Sequence, residues 1–304
     1  MYDKPVWYFG DFEFPIHWLA LLLCGAATLI LALLLRKKRG FSAGQVCLYG
    51  AIAAALGFLV GRGVYAVICF QDIFMDEMGE FAGVWRFFDT TVGSVNVMGF
   101  VAGILLAAPV TAALTKRSAA EYLDMAVVPG LVMYILARTV EPLSGQGVGD
   151  FMEVEVCVSF IEAALTAIVL AFVPFIRSRC RSAGTLFQHA LVLWCLVQIL
   201  PESLRLDDSL SVFVFARVTH LGLAVTLGVT LLRLLVKNGK QIGAKGVALD
   251  VIGLAAGLGL AIGAIFALDK TNWPKLLVYA MMVAALVWLG YVICRRIHKE
   301  DVRA

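Results

Sequence analysis

The sequence predicts an all-α protein, a polytopic bundle that crosses a lipid bilayer about nine times. Three observations carry this expectation. A chain of 304 residues with 61% hydrophobic and 15% charged side chains has too little polar surface to coat a soluble globule of its size. Apolar runs recur from near residue 16 to near residue 294, each close to the roughly 20 residues a helix needs to span about 30 Å of hydrocarbon. Basic residues gather in every second intervening loop, the bias of segments that face the cytoplasm.

In chain order the spans are expected near residues 16–35, 45–70, 94–115, 122–141, 155–176, 184–203, 211–235, 247–268 and 275–294. Each must be helical, because a backbone left open in lipid forfeits several kcal/mol at every unpaired amide and carbonyl. None shows the alternation of a barrel strand. The segment before the first span has acidic residues, aromatics and Pro5 but no basic stretch or small-residue cleavage site, so it is expected to be kept rather than removed as a signal peptide. Gly57 with Gly61, Gly99 with Gly103 and Gly253 with Gly257 place small residues four apart, a spacing that lets helix backbones pack closely. The longest connection, residues 71–93, carries Trp85, Arg86, Phe87 and Phe88, a composition that suits either a segment at the membrane interface or a plain connector. No linker rich in Pro, Gly or Ser and no fixed-period repeat divides the chain, so one domain is the default.

The basic loops hold Arg36, Lys37, Lys38 and Arg39; Lys116 and Arg117; Arg177, Arg179 and Arg181; Lys237, Lys240 and Lys245; and Arg295, Arg296 and Arg303. They are expected in the cytoplasm. Loops with Asp72 and Glu80, Asp150 and Glu155, Asp207 and Asp208, and Asp269 are expected outside, which puts the N-terminus outside and the C-terminus in the cytoplasm. The net charge of +3 reflects this topology and gives no nucleic-acid signal. The seven cysteines are scattered singly, with no CxxC pair and no His/Cys cluster at metal spacing, so no disulfide, metal or other cofactor is expected. Cys157, near the outer surface, reads as a small packing residue before it reads as a nucleophile.

Polar side chains placed where hydrocarbon should be are the functional candidates: His17, Arg62, Arg138, Glu162, His189, Gln198, Glu202, Arg217 and His220. A charge near the bilayer centre costs a few kcal/mol or more, so such groups face a partner, a cavity or a substrate. Arg138, Glu202 and Arg205 fall at the outer ends of their spans, and Arg62, Glu162 and Arg217 fall further in, which suggests a polar cleft opening outward. Arginine on its floor can hold a phosphate by paired hydrogen bonds, and an anionic lipid headgroup is the natural ligand. The competing arrangement is structural ion pairing, Arg138 with Glu141 or Glu162 and Arg205 with Asp208. His17 beside Trp18 suits an interfacial anchor, and His189 and His220 suit hydrogen bonds between helices.

Short stretches point further. Phe14-Pro15-Ile16-His17-Trp18 opens the first span, Gly61-Arg62-Gly63-Val64-Tyr65 sets an arginine three residues before a tyrosine, and Tyr122-Leu123-Asp124 is followed by Pro129-Gly130-Leu131. Next come Ala137-Arg138-Thr139-Val140-Glu141-Pro142-Leu143-Ser144-Gly145-Gln146, then Phe160-Ile161-Glu162-Ala163, then Pro201-Glu202-Ser203-Leu204-Arg205-Leu206-Asp207-Asp208. Over residues 14–236 these stretches resemble, in order, the motifs of the prolipoprotein diacylglyceryl transferases, whose signature GRIGNFINGE aligns without gaps to residues 137–146. The resemblance implies a seven-span core over residues 1–236 and a C-terminal extension over 237–304 with two more spans. It implies an enzyme of lipoprotein biosynthesis in the bacterial plasma membrane that needs no cofactor. Arginines would hold phosphatidylglycerol at its phosphate while the thiol of a lipobox cysteine in a secreted precursor attacks the glyceryl carbon, forming a thioether and releasing glycerol phosphate. Lipid-binding positions would be Arg62, Tyr65, Arg138, Glu141, Gln198 and Arg205, and catalytic ones Arg138 and Glu202.

The pattern departs from the family at four of these points. Met98 stands where the family's Met-Ser-Phe-His-Gly-Gly segment has its essential histidine, Glu141 replaces the signature asparagine, Gln146 replaces the signature glutamate, and Gln198 replaces an essential arginine four residues before Glu202. A thioether takes up no proton and a neutral amide balances no phosphate. Arg217, at a position where the family has glutamine, is expected to bring an arginine to the same cleft and share the catalytic role. Two functions therefore stand side by side: a transferase, or a homologue without the chemistry that binds anionic lipid or a lipoprotein partner. A transporter using the intramembrane charges is a third, for which no inverted repeat is visible.

Overall fold

The computed structural model describes residues 6–9, 12–75, 79–89, 95–151, 154–206, 211–213 and 216–302. Among them, nine helical segments are long and apolar enough to cross a membrane, and each overlaps one of the nine expected spans. The protein is all-α and polytopic, with three short two-stranded hairpins that the hydropathy pattern does not reveal. Two compact units divide it, one over Val6–Pro129 and one over Gly130–Ala304.

The first unit contains β1 (Val6–Phe9), β2 (Phe12–Pro15), α1 (Ile16–Leu35), α2 (Ala43–Ile68), α3 (Phe70–Phe74), α4 (Val97–Thr115) and the opening half of α5 (Ala119–Val140). α2 starts at a capping box: Ser42 Oγ accepts from the Gln45 amide at 3.2 Å, and the Gln45 side chain accepts from the Ser42 amide at 3.0 Å. The paired glycines of α2 and α4 meet in one seam. A Cβ on Gly103 would lie 2.3 Å from the Leu56 carbonyl oxygen, and one on Gly99 2.8 Å from Gly61 Cα, so only glycine permits this approach. Buried Tyr122 of α5 stacks on Tyr49 of α2 and shares a 2.8 Å hydrogen bond with Thr115 of α4.

The second unit continues with the closing half of α5, β3 (Val148–Phe151), β4 (Val154–Cys157), α6 (Val158–Arg177), α7 (Thr185–Glu202), β5 (Ser211–Phe213), β6 (Ala216–Arg217), α8 (Val218–Lys270) and α9 (Lys275–Asp301). α7 is its hub, packed on α6, α8 and α9. α8 holds two spans, Val218–Asn238 and Ile242–Leu268, joined at Gly243 with φ 74° and ψ 157°, a conformation open essentially to glycine alone. The Gly253 and Gly257 face lets α9 close in: a Cβ on Gly257 would sit 2.6 Å from Leu289 Cδ2. At the end of α9 the Asp301 carboxylate accepts from the amides of Arg181 and Ser182, at 2.9 and 2.7 Å, and so ties that helix to the turn between α6 and α7. Away from these seams the helices present apolar side chains outward, such as Val225, Val229, Leu232 and Val236 along α8, a face suited to lipid.

One expected boundary is corrected. The seventh span does not begin at residue 211, because Val212, Phe213, Val214 and Phe215 form a run of β-branched and aromatic residues that favours strand. Residues 211–213 and 216–217 pair as β5 and β6, and the helix starts at Val218. Arg217 is thus at the mouth of its span and not within it. Asp207 and Asp208, and with them the expected Arg205–Asp208 pair, lie outside the described residues.

Candidate functional site

The second unit gathers the charged candidates into one buried cluster. Arg138 comes from the last turn of α5, Glu141 from the 3-10 turn that follows it (Glu141–Ser144), Glu162 from the second turn of α6, and Glu202 and Arg205 from the end of α7 and just beyond. None is more than 8% exposed, so every charge has lost its water and needs a partner within the protein.

The partners are mutual. Arg138 Nη1 donates to both Glu141 oxygens at 2.8 Å, and its Nε lies 2.5 Å from Glu162 Oε2. Arg205 bridges the same two carboxylates: Nε donates to Glu162 Oε1 at 2.9 Å, and Nη1 and Nη2 donate to Glu141 Oε1 and Oε2 at 3.0 Å. Glu202 stands at one edge, its Oε2 3.6 Å from Arg205 Nε. Two arginines and two glutamates thus form an alternating ring, with a third carboxylate beside it. Burial alone would lower the Arg205 pKa, but the Glu162 and Glu141 carboxylates outweigh it and hold the guanidinium above its ordinary range.

Neutral side chains extend the buried network. The Tyr134 hydroxyl accepts from Arg138 Nε at 2.9 Å and donates to Gln198 Oε1 at 2.9 Å, and Gln198 Nε2 donates to Thr166 Oγ1 at 2.9 Å. Neither Tyr134 nor Thr166 is singled out by the sequence reading. The available signal is their spacing, one helical turn from Arg138 and Glu162 respectively, which puts each on the same helix face as a charge.

Backbone pairing fixes Arg205. Asp150 N donates to the Leu204 carbonyl at 2.9 Å and Leu206 N to the Val148 carbonyl at 3.0 Å, so residues 204–206 add to the edge of the β3 hairpin. Gly149 opposite Arg205 allows this approach, since a Cβ there would be 2.3 Å from the Leu204 carbonyl oxygen. Arg217 Nη2 donates to the Arg205 carbonyl oxygen, which brings a third guanidinium beside the cluster.

The remaining candidates are placed differently. In the first unit Arg62, 1% exposed, turns its guanidinium onto the carbonyls of Arg86, Phe87 and Asp89 at 3.1, 2.9 and 2.8 Å and holds that loop together. Tyr65 lies beside it, its ring centre 5.7 Å from Arg62 Cζ. Met98 occupies the first turn of α4. Gln146 is exposed. His220 Nε2 reaches across to the Ile199 carbonyl of α7 at 3.3 Å, as expected of an interhelical bond. His189 corrects the same expectation: its Nδ1 pairs with Thr185 O one turn back in its own helix. Arg138 meets both carboxylates of the competing ion-pair arrangement, Glu141 and Glu162, at 2.8 and 2.5 Å.

Compared with known proteins, the chain matches no family model and no curated sequence. The likeness to diacylglyceryl transferases rests on the short stretches themselves.

Proposed function

We propose that the chain is a prolipoprotein diacylglyceryl transferase-like protein of the bacterial plasma membrane, moving a diacylglyceryl group from phosphatidylglycerol to a lipobox cysteine of a secreted precursor. Its N-terminus would lie outside and its C-terminus in the cytoplasm. Convergence carries the reading: the three separate stretches 137–146, 160–163 and 201–208, which carry the resemblance, supply all five charged members of one buried cluster.

In this reading the ring is a resting state in which carboxylates occupy the guanidinium faces that a phosphate takes in turn. Glu141 moves aside, and the phosphate of phosphatidylglycerol binds Arg138 and Arg205 bidentately in a low-dielectric site. Glu202 has only its 3.6 Å contact with Arg205 among the described residues, so it is the carboxylate left to accept the thiol proton. The sulfur attacks the glyceryl carbon, the S–C bond forms, and the C–O bond to phosphate breaks. Glycerol phosphate leaves with the electron pair, its charge met by Arg138.

A second reading, a homologue that binds anionic lipid or a lipoprotein partner without transfer, is favoured by Met98 and Gln198 at the family's histidine and arginine positions. The test is a transfer assay with the purified chain, phosphatidylglycerol and a lipobox peptide. Thioether product that disappears in both Arg138→Ala and Glu202→Gln is expected. Lipid binding that depends on Arg138 with no product supports the second reading, and absence of both removes the two together.

A further inference from the structure

The first unit carries a surface that the transfer chemistry does not use. α2 ends at Ile68, and the connection from there to α4 opens with α3 (Phe70–Phe74) and includes a 3-10 turn over Val84–Phe87. Its described residues are tied to one another. Ala82 N donates to the Phe74 carbonyl at 2.8 Å, Met75 and Phe81 form a β-bridge, and the Phe74 ring stacks on Phe81 and meets Phe70.

The side chains of this connection are sorted the opposite way from a loop in water. Phe81, Val84, Trp85 and Phe88 are each more than half exposed, while the guanidinium groups of Arg62 and Arg86 turn onto carbonyl oxygens. Arg62 serves the carbonyls of Arg86, Phe87 and Asp89, and Arg86 Nη1 donates to the Met75 carbonyl at 3.0 Å. Carbonyls that face water need no such donors, whereas carbonyls at a lipid surface must find them within the protein. The apolar surface also continues a lipid-suited face of α2: Val67, in the last turn of that span, is 78% exposed, and exposed Phe70 follows it. Water does not satisfy a contiguous group of apolar side chains, and an aromatic-rich stretch at the end of a span suits the headgroup boundary.

We propose that residues 70–75 and 79–89 form an interfacial platform that sets Phe81 and Phe88 into the headgroup and upper acyl region of the adjoining leaflet, with Trp85 at headgroup depth. Its partner is the lipid surface itself. Arg62 acts as a positioning residue, supplying the donors that let the backbone of residues 86–89 lie there without water. This reading does not depend on transferase activity.

The test is electron paramagnetic resonance of the full chain in vesicles of phosphatidylethanolamine and phosphatidylglycerol. One spin label at a time is placed at Phe81→Cys, Phe88→Cys, Trp85→Cys or Asp72→Cys in a cysteine-free background. Exposed Asp72 falls across α3 from Phe70 and Phe74 and serves as the water-facing reference. Oxygen concentrates in lipid, so its effect relative to a water-soluble nickel chelate is expected to be severalfold greater for Phe81→Cys and Phe88→Cys than for Asp72→Cys. The Trp85→Cys label is expected to meet both reagents. Adding Arg62→Gln is expected to raise the mobility of the Phe88→Cys label and its access to nickel; an unmoved label overturns the positioning role of Arg62. Nickel access at Phe81→Cys and Phe88→Cys equal to that at Asp72→Cys would mean a connector in water, and exclusion of both reagents would mean that protein covers the rings. Either result overturns the proposal.

Discussion

Arg138 shows how a single residue couples site and stability. Its guanidinium is held by Glu141, Glu162 and Tyr134 at once, so Arg138→Ala leaves Glu141 and Glu162 sharing only Arg205 in a dry setting. We expect a loss of about 3–5 kcal/mol, read as a lower midpoint of denaturant unfolding in detergent, the usual cost of removing one partner of a buried pair. Tyr134→Phe keeps the ring against Trp194 and removes only the hydroxyl, so its loss should be smaller, about 1–3 kcal/mol. The charged members of the cluster are legible in the sequence because ionised side chains inside apolar runs are conspicuous. Tyr134 and Thr166 are not, since an uncharged polar residue in such a run looks like any helix position until its neighbour one turn away is seen to carry a charge.

Among the elements, the β3 hairpin decides where Arg205 points. Gly149→Ala puts a methyl group against the Leu204 carbonyl, a backbone atom that cannot rotate away, and should push the 204–206 strand outward. The expected cost is about 1–3 kcal/mol, the range for overpacking a tight contact. Combined with Arg205→Gln the loss should be smaller than the two single losses added, because both act through one guanidinium, and a double-mutant cycle on unfolding midpoints checks this. The hairpins are hard to read from sequence because each strand is only two to four residues long and borders a span whose hydrophobicity dominates the local pattern. The glycine seams, in contrast, are legible at Gly57, Gly61, Gly99 and Gly103, since four-residue spacing of small side chains has one main packing consequence.

For the whole molecule, span number and approximate position follow from hydrophobic length and composition, the strongest constraints a bilayer imposes. Sidedness rests on loop charge. In a cysteine-free background, Trp85→Cys, at an 86% exposed side chain, should react with a membrane-impermeant maleimide in intact cells, and Lys38→Cys only after permeabilisation. The reverse pattern would invert the topology and place the Arg138 cluster toward the cytoplasm. Whether the cluster binds lipid was not legible, because Glu141 both neutralises the arginines and marks a departure from the transferase signature. Retention of phosphatidylglycerol by the purified chain, measured by native mass spectrometry in wild type, Arg138→Ala and Glu141→Asn, tests the central claim most directly. If carboxylates stand in for the phosphate at rest, Glu141→Asn binds more tightly than wild type and Arg138→Ala more weakly. Equal retention in all three would mean that the ring is closed structure and that lipid never enters it.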